Sequence, residues 1–388
     1  MRPVYLDNAA TTAVRREAVE AMLPFFRTDF ANPSSAHASG QRVRRALDDA
    51  RESTAAALGA RPHEIIFTAS GSEADALALF GILGAGRKRR HRLITSAVEH
   101  HAVLHAAAAL ADRGCDVCVL PVDGHGFVSP DVLASALEAE TALVSMMHGN
   151  NEIGTIAQLR ELADIAHERG ALFHTDAVQT VGHVPVEVGE LHVDALSLSA
   201  HKFGGPKGAG ALFLRDGVGV NPIVFGGGQE GGRRSGTENV AGIVGLSVAL
   251  QLAVAVLPES ARRVAALRDR LIDGALLQVR GSECNGPRDR RLPNNASLRF
   301  EGIEATMALM ALEQACFEAS TGSACASGSL NPSHVLSAIG LDAAAARSTI
   351  RFSLSEATES QDIERLLAVL PQTIERLRQL SAVFAPAG

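Results

Sequence analysis

Only three of the 36 basic residues in this chain are lysine: Lys88, Lys202 and Lys207. A chain that uses arginine almost wherever a cation suffices keeps lysine where a primary amine is required. That amine loses its proton when buried and then attacks a carbonyl, which a guanidinium cannot do. Lys202 is the candidate. It follows the apolar run Val193 to Leu198, which reads as a buried strand, and it precedes a Gly/Pro-rich turn, Phe203-Gly204-Gly205-Pro206-Lys207-Gly208. Strand ends are where open α/β sheets place their chemistry. Lys88, inside Arg87-Lys88-Arg89-Arg90, reads instead as a solvated surface cation.

Other strand ends carry reactive side chains. Thr68-Ala69-Ser70-Gly71-Ser72-Glu73 lies between a strand and a helix beginning near Glu73. A Gly71-Ser72 turn at a helix start leaves free N–H groups at the positive dipole end and can hold a phosphate; the same residues also make an ordinary Ser cap. Glu99-His100-His101 follows the strand at 92–97, and Met147-His148-Gly149-Asn150-Asn151 ends another. His174-Thr175-Asp176-Ala177-Val178-Gln179 ends the next, where an Asp on an apolar strand is unfavourable unless it meets a cation. No Arg or Lys stands near it in sequence. A phosphate-binding turn, a His, an Asn, an Asp, a Gln and an amine are what a pyridoxal phosphate site needs.

The elements that must position these groups follow from periodicity. At 388 residues the chain is long for one core. Segments 64–68, 92–96, 116–121, 141–147, 171–175, 193–198 and 210–214 read as strands separated by Ala/Leu-rich amphipathic helices. That alternation predicts a mostly parallel sheet with helices on both faces. After about residue 255 the pattern changes to Arg-rich helices over 261–280, 304–316 and 360–380. The expected organisation is a large domain over 12–255 and a smaller α+β domain from 1–11 and 256–388.

A net charge of -7 argues against a nucleic-acid surface. No run of about 20 uninterrupted apolar residues and no signal-peptide pattern is seen, so a cytoplasmic protein away from membranes is expected. The five cysteines form no disulfide framework, and Cys115 and Cys118 sit in a strand pattern without a second pair, so no metal site is expected.

With these motifs in place, the chain resembles cysteine desulfurases of the NifS/IscS type, within the class V aminotransferase family of fold type I pyridoxal phosphate enzymes. The resemblance runs from Tyr5-Leu6-Asp7-Asn8-Ala9-Ala10-Thr11-Thr12 to Arg351-Phe352-Ser353-Leu354-Ser355. It implies a large domain with a mostly parallel seven-stranded sheet and a smaller α+β domain. It further implies that Lys202 carries pyridoxal 5'-phosphate, that Asp176 pairs with the pyridine nitrogen, and that Gln179 bonds the ring hydroxyl. His100 would stack on the ring and shuttle protons. Gly71, Ser72, Ser199 and His201 would hold the phosphate, joined by Thr237 from the other subunit of a homodimer with shared sites. Asn151 and Arg351 would hold the carboxylate of L-cysteine.

Thr321-Gly322-Ser323-Ala324-Cys325-Ala326-Ser327-Gly328-Ser329 is made of small residues around one thiol, a composition of linkers as much as of catalytic loops. By the resemblance, Cys325 in a loop of about 320–332 is the catalytic thiol. It would take the substrate sulfur as a persulfide, release alanine, and pass the sulfur to an acceptor protein of the iron–sulfur scaffold or tRNA-thiolation type. The long spacing from Cys325 to Arg351 resembles the NifS/IscS group more than the SufS group. Two features depart from the common pattern: Ser72 stands for the usual Thr of the phosphate turn, and the Ala382 to Gly388 terminus lacks the tail with which housekeeping members dock their scaffold. A selenocysteine lyase and a class V aminotransferase without persulfide chemistry are the alternative readings. An inactive scaffold is disfavoured because Lys202, Asp176, His100 and Cys325 are all present.

Overall fold

The structure is a computed structural model that describes residues 2–86, 91–322 and 332–384. Lys88, Cys325 and the last four residues therefore lie outside the described residues. After a short strand β1 (Val4–Tyr5), the chain builds a seven-stranded sheet from β2 (Ile65–Thr68), β3 (Arg92–Ser96), β4 (Asp116–Leu120), β5 (Thr141–Ser145), β6 (Leu172–Asp176), β7 (Ala195–Ser199) and β8 (Gly210–Leu214). Their spatial order is β2-β8-β7-β6-β5-β3-β4. β8 runs antiparallel to both its neighbours, and the other pairings are parallel. Every strand foreseen in the large sheet is present.

The sheet is apolar on both faces, as a parallel sheet sandwiched by helices must be. Successive residues divide between two cores because the side-chain period of a strand is two. Ile94, Val144, Phe173, Leu196 and Phe213 enter one core. Leu93, Leu143, Ala195 and Leu212 enter the other, under the helices Gly71–Ala85 and His101–Ala111. The sheet reverses its winding between β3 and β5, so the C-terminal ends of β3, β5, β6 and β7 border one crevice.

The helix Val240–Gln278 spans 39 residues through Pro258 and is apolar and long enough to cross a membrane by composition. Here it packs against helices Arg16–Met22 and Ala38–Ala57. It supplies Leu246, Leu250 and Ala253 to the core under the sheet, then Val264, Leu271 and Ile272 to a separate core. That second core is built on β9 (Ser282–Cys284), β10 (Asn295–Phe300), β11 (Phe317–Glu318) and β12 (Thr349–Ser353), and on helices Ala305–Gln314 and Ser360–Phe384. β12, β10 and β9 form an antiparallel sheet, while β1 pairs in parallel with β11. The N-terminus thus joins the second core through Val4 and Leu6, then crosses to the large sheet.

Candidate active site

β7 ends at Ser199, and Ala200–Lys202 makes a single tight turn. Lys202 Nζ donates to the Ala9 carbonyl at 2.6 Å and to the Ala10 carbonyl at 2.9 Å. Gln179 Nε2 donates to the same Ala9 oxygen at 2.9 Å, so the amine and the amide converge on one acceptor. The next residues lock this crossing in place. Thr12 N and Oγ1 both donate to the His201 carbonyl, at 2.9 and 3.0 Å, and Gly204 N donates to Thr12 Oγ1 at 2.9 Å. His201 Nδ1 lies 3.1 Å from Thr11 Oγ1. Half-burial, and then the Lys202 and Lys207 charges, push the His201 imidazole down to about 4, so it is neutral at physiological pH.

The turn at 70–73 makes the Ser cap that its sequence allows. Ser70 Oγ accepts from Glu73 N at 3.1 Å and caps the helix Gly71–Ala85, while the Glu73 carboxylate accepts from Ala69 N at 2.8 Å. Gly71 and Ser72 still line the cavity. A Cβ on Gly71 would come within 2.6 Å of Val178 Cγ2 and 3.3 Å of Ser199 Cβ. Only glycine lets this helix start approach the ends of β6 and β7 so closely. The result is a cradle of backbone N–H groups at a positive helix end, suited to a phosphate.

Asp176 closes β6 with 4% exposure, and Val178 N donates to its Oδ1 at 2.9 Å. Burial pushes its carboxyl upward, opposed by His100, by that N–H and by Lys202. The cation that the sequence around Asp176 lacks is therefore supplied across the strand ends by Lys202. His100 caps the helix His101–Ala111, its Nδ1 accepting from Ala102 N at 3.1 Å. That bond leaves Nε2 as the nitrogen that carries the proton of the neutral ring. Burial lowers the His100 proton affinity and Asp176 partly restores it.

Arg351, on β12 with 2% exposure, reaches the crevice from the second core. Its NH1 donates to the carbonyls of Asn151 (3.0 Å) and Gly322 (2.8 Å), and NH2 donates to Asp7 Oδ1 at 2.7 Å. Nε has no partner among the described residues. The adjacent amides divide their work: Asn150 is turned inward, bonding Val98 O and the N–H groups of Glu152 and Ile153, whereas Asn151 lines the cavity.

Gly71, Ser72, His100, Asn151, Asp176, Gln179, Ser199, His201, Lys202 and Arg351 thus surround one cavity of about 320 Å³. Thr237 is not among them; it lies on an exposed turn before the helix Val240–Gln278. Cys325 lies outside the described residues, but the flanks of its segment reach the site. Gly322 O is held by Arg351, and Ser333 Oγ donates to the buried Glu152 at 2.5 Å. A larger cavity of about 520 Å³ lies on the other side of the Lys202 turn, where Arg15 is paired with Glu356 at 2.9 Å. Sequence reasoning assigned no role to Asp7, to the Ala9 and Ala10 carbonyls, or to the buried Asp75 and Glu99. Only the small residues Ala9 and Ala10, just after Asp7-Asn8, hinted that another chain segment approaches there.

A lysine at the end of a parallel strand, a buried acid one strand away and a glycine-bearing helix start, on this sheet with a second α+β core, define the fold type I class of pyridoxal phosphate enzymes. The chain belongs to the aminotransferase class-V family, whose pattern it matches over residues 4–366. It is 49% identical over 380 residues to a cysteine desulfurase IscS of Methanosarcina thermophila, covering 98% of this chain and 94% of that protein. A cysteine desulfurase of Gluconacetobacter diazotrophicus is 48% identical, covering 100% of this chain and 97% of the relative. Among solved structures, a NifS-like protein superposes with a TM-score of 0.89 at 35% identity, covering 98% and all of the two chains. The structure described as SspA in complex with cysteine gives 0.81 at 36% identity, covering 92% and 99%.

Proposed function

We propose that this protein is a cysteine desulfurase that uses pyridoxal 5'-phosphate to take sulfur from L-cysteine, releasing L-alanine and leaving a persulfide on Cys325. The observation that carries the reading is the meeting, in one cavity, of the Lys202 amine and the buried Arg351 guanidinium. An amine for a carbonyl cofactor and a planar fork for a carboxylate select an α-amino acid. The residues present fit the cofactor: the Gly71 cradle, with Ser199 and His201, suits its phosphate, Asp176 its ring nitrogen, and Gln179 its hydroxyl. When bound, the cofactor withdraws electrons from the substrate's α-carbon and so makes the sulfur susceptible to attack.

The chain's own groups do the rest. Arg351 and Asn151 orient the substrate carboxylate. Lys202 moves the α-proton, with the Nε2–H of His100 beside it as a hydrogen-bond donor. The Cys325 thiolate attacks the substrate sulfur; its S–S bond forms as the carbon–sulfur bond breaks, and the β-carbon takes up a proton to give alanine.

We further take residues 12–255 as the cofactor-binding domain and 1–11 with 256–388 as the domain carrying the thiol segment. A homodimer is supported by Thr237 lying away from its own cavity and by the exposure of Phe26, Phe30 and Phe225, the last at 82%. The protein acts in the cytoplasm and hands its sulfur to an acceptor protein, in iron–sulfur cluster assembly or tRNA thiolation. The four described cysteines are free thiols, in keeping with a reducing compartment.

Product analysis with L-cysteine and a reductant, without any keto acid, tests the function. Alanine and sulfide in equal amounts are expected. Alanine only when a keto acid is supplied would make the protein a transaminase, and preferential turnover of L-selenocysteine would make it a selenocysteine lyase.

A further inference from the structure

Behind Asp176 lies a second acid that the chemistry above does not use. Asp75 is 1% exposed, sits one turn into the helix Gly71–Ala85, and borders the active-site cavity. Asp75, Asp176 and His100 each offer an atom within 4.8 Å of the other two. Their environments differ sharply. Asp176 has the Val178 N–H, His100 and Lys202. Asp75 Oδ1 has no hydrogen-bond partner among the described residues. The nearest basic group to it is His174 Nε2 at 3.7 Å, and that ring is engaged on both sides, by Ser197 Oγ at 3.0 Å and Ser145 Oγ at 2.9 Å. Burial drives the His174 imidazole down to about 3, so it offers Asp75 no positive charge.

We propose that Asp75 is a positioning residue of this site, a neutral hydrogen-bonding group that fixes the Asp176 carboxylate against the cofactor's ring nitrogen. The proposal rests on the pyridoxal phosphate reading given above. Two buried carboxylates this close do not both ionise, and the proton rests on Asp75, which lacks the Lys202 charge and the Val178 N–H that favour the Asp176 carboxylate. Burial, and then the nearby Asp176, push the Asp75 carboxyl well up against the opposing hydrogen bond from Ser197, which agrees with that assignment. The placement also has a mechanical consequence. Ser72 and Asp75 stand three residues apart and therefore on one face of one helix. A single rigid element thus spans the cofactor, with the phosphate cradle at its first turn and the support of the ring-nitrogen acid at its second.

The test uses the full chain, reconstituted with pyridoxal 5'-phosphate, as wild type and as Asp75→Asn, Asp75→Leu and Asp75→Ala. The readouts are the rate of cofactor loss on dialysis and the pH dependence of the bound cofactor's absorbance, with apo-protein melting temperature as the folding control. Asparagine keeps a neutral polar group, so cofactor loss should stay within about twofold of wild type. Leucine has similar volume but no polar atom, and should lose cofactor about tenfold faster, the size of effect a buried hydrogen bond to a charged group gives. Alanine serves in its place if the leucine variant does not fold. An apolar variant that keeps cofactor as long as wild type overturns the proposal. So does an asparagine variant as poor as the apolar one, since that would show the charge to be needed. A wild-type chain that takes up no cofactor would instead overturn the function on which the proposal rests.

Discussion

The Asp7 carboxylate holds Arg351 at 2.7 Å although the two residues are 344 apart in sequence. The ion pair joins the N-terminal crossing segment to β12 and points a fully buried guanidinium into the cavity. Asp7→Asn removes the charge that orients the fork while keeping its shape. The Michaelis constant for L-cysteine should rise about tenfold, the usual worth of a charge-assisted hydrogen bond, with the bound cofactor's absorbance unchanged. Steady-state kinetics decide it: an unaltered Michaelis constant would leave Asp7 a purely structural role.

Lys202 and Cys325 separate cofactor attachment from sulfur transfer. Lys202→Ala should lose both the characteristic absorbance of the attached cofactor and all turnover. Cys325→Ser should keep the absorbance and lose sulfide release. Spectra and sulfide assays on the two variants check this, and full desulfurase activity in the serine variant would remove Cys325 from the mechanism.

His100 should set an acid limb in the rate. Burial holds its imidazole below the ordinary value of 6.5, so the ring is a neutral Nε2–H donor at physiological pH and becomes a cation beside Lys202 only on the acid side. The kcat/KM for L-cysteine should therefore fall with decreasing pH only below 6.5. His100→Gln should abolish that limb and lower the rate at neutral pH about tenfold or more, as loss of a buried hydrogen-bond donor does. A limb that survives the substitution belongs to another group.

Glu99 gives a stability prediction with a definite sign. It is fully buried, Oε1 accepts from Ser96 Oγ and Met147 N, and burial pushes its carboxyl from 4.5 up to about 8. Between those values the folded chain holds a proton that the unfolded chain has lost, so this group's contribution is intact below 4.5 and lost as the pH rises through 8. Glu99→Gln should flatten that dependence and be more stable than wild type at pH 8.5 by about 2 kcal/mol. Chemical denaturation at pH 6 and 8.5 measures it, and parallel losses in the two proteins would refute it.

Much of this molecule was written locally. The apolar runs of β2 to β8 and the helices between them are near-neighbour patterns, so strand identity and the covered parallel sheet could be read directly. Lys202 and Asp176 stood out because each ends an apolar run where a charge needs a reason, and the Ser70 cap and Gly71 are signals contained within a few residues. Tertiary structure alone decided what those groups meet. The acceptors of Lys202 are the carbonyls of Ala9 and Ala10, the counter-ion of Arg351 is Asp7, and the neighbour of Asp176 is Asp75 from the helix between β2 and β3. Backbone carbonyls carry no sequence signature, and charge pairs across hundreds of residues are set by how two cores are joined. The helix Val240–Gln278 shows the same limit, since its apolar composition is that of a membrane span and only its packing against Arg16–Met22 and Ala38–Ala57 makes it the beam joining both cores. Local periodicity specifies which elements form, whereas the low-dielectric pocket that tunes their side chains exists only once distant elements have closed over it.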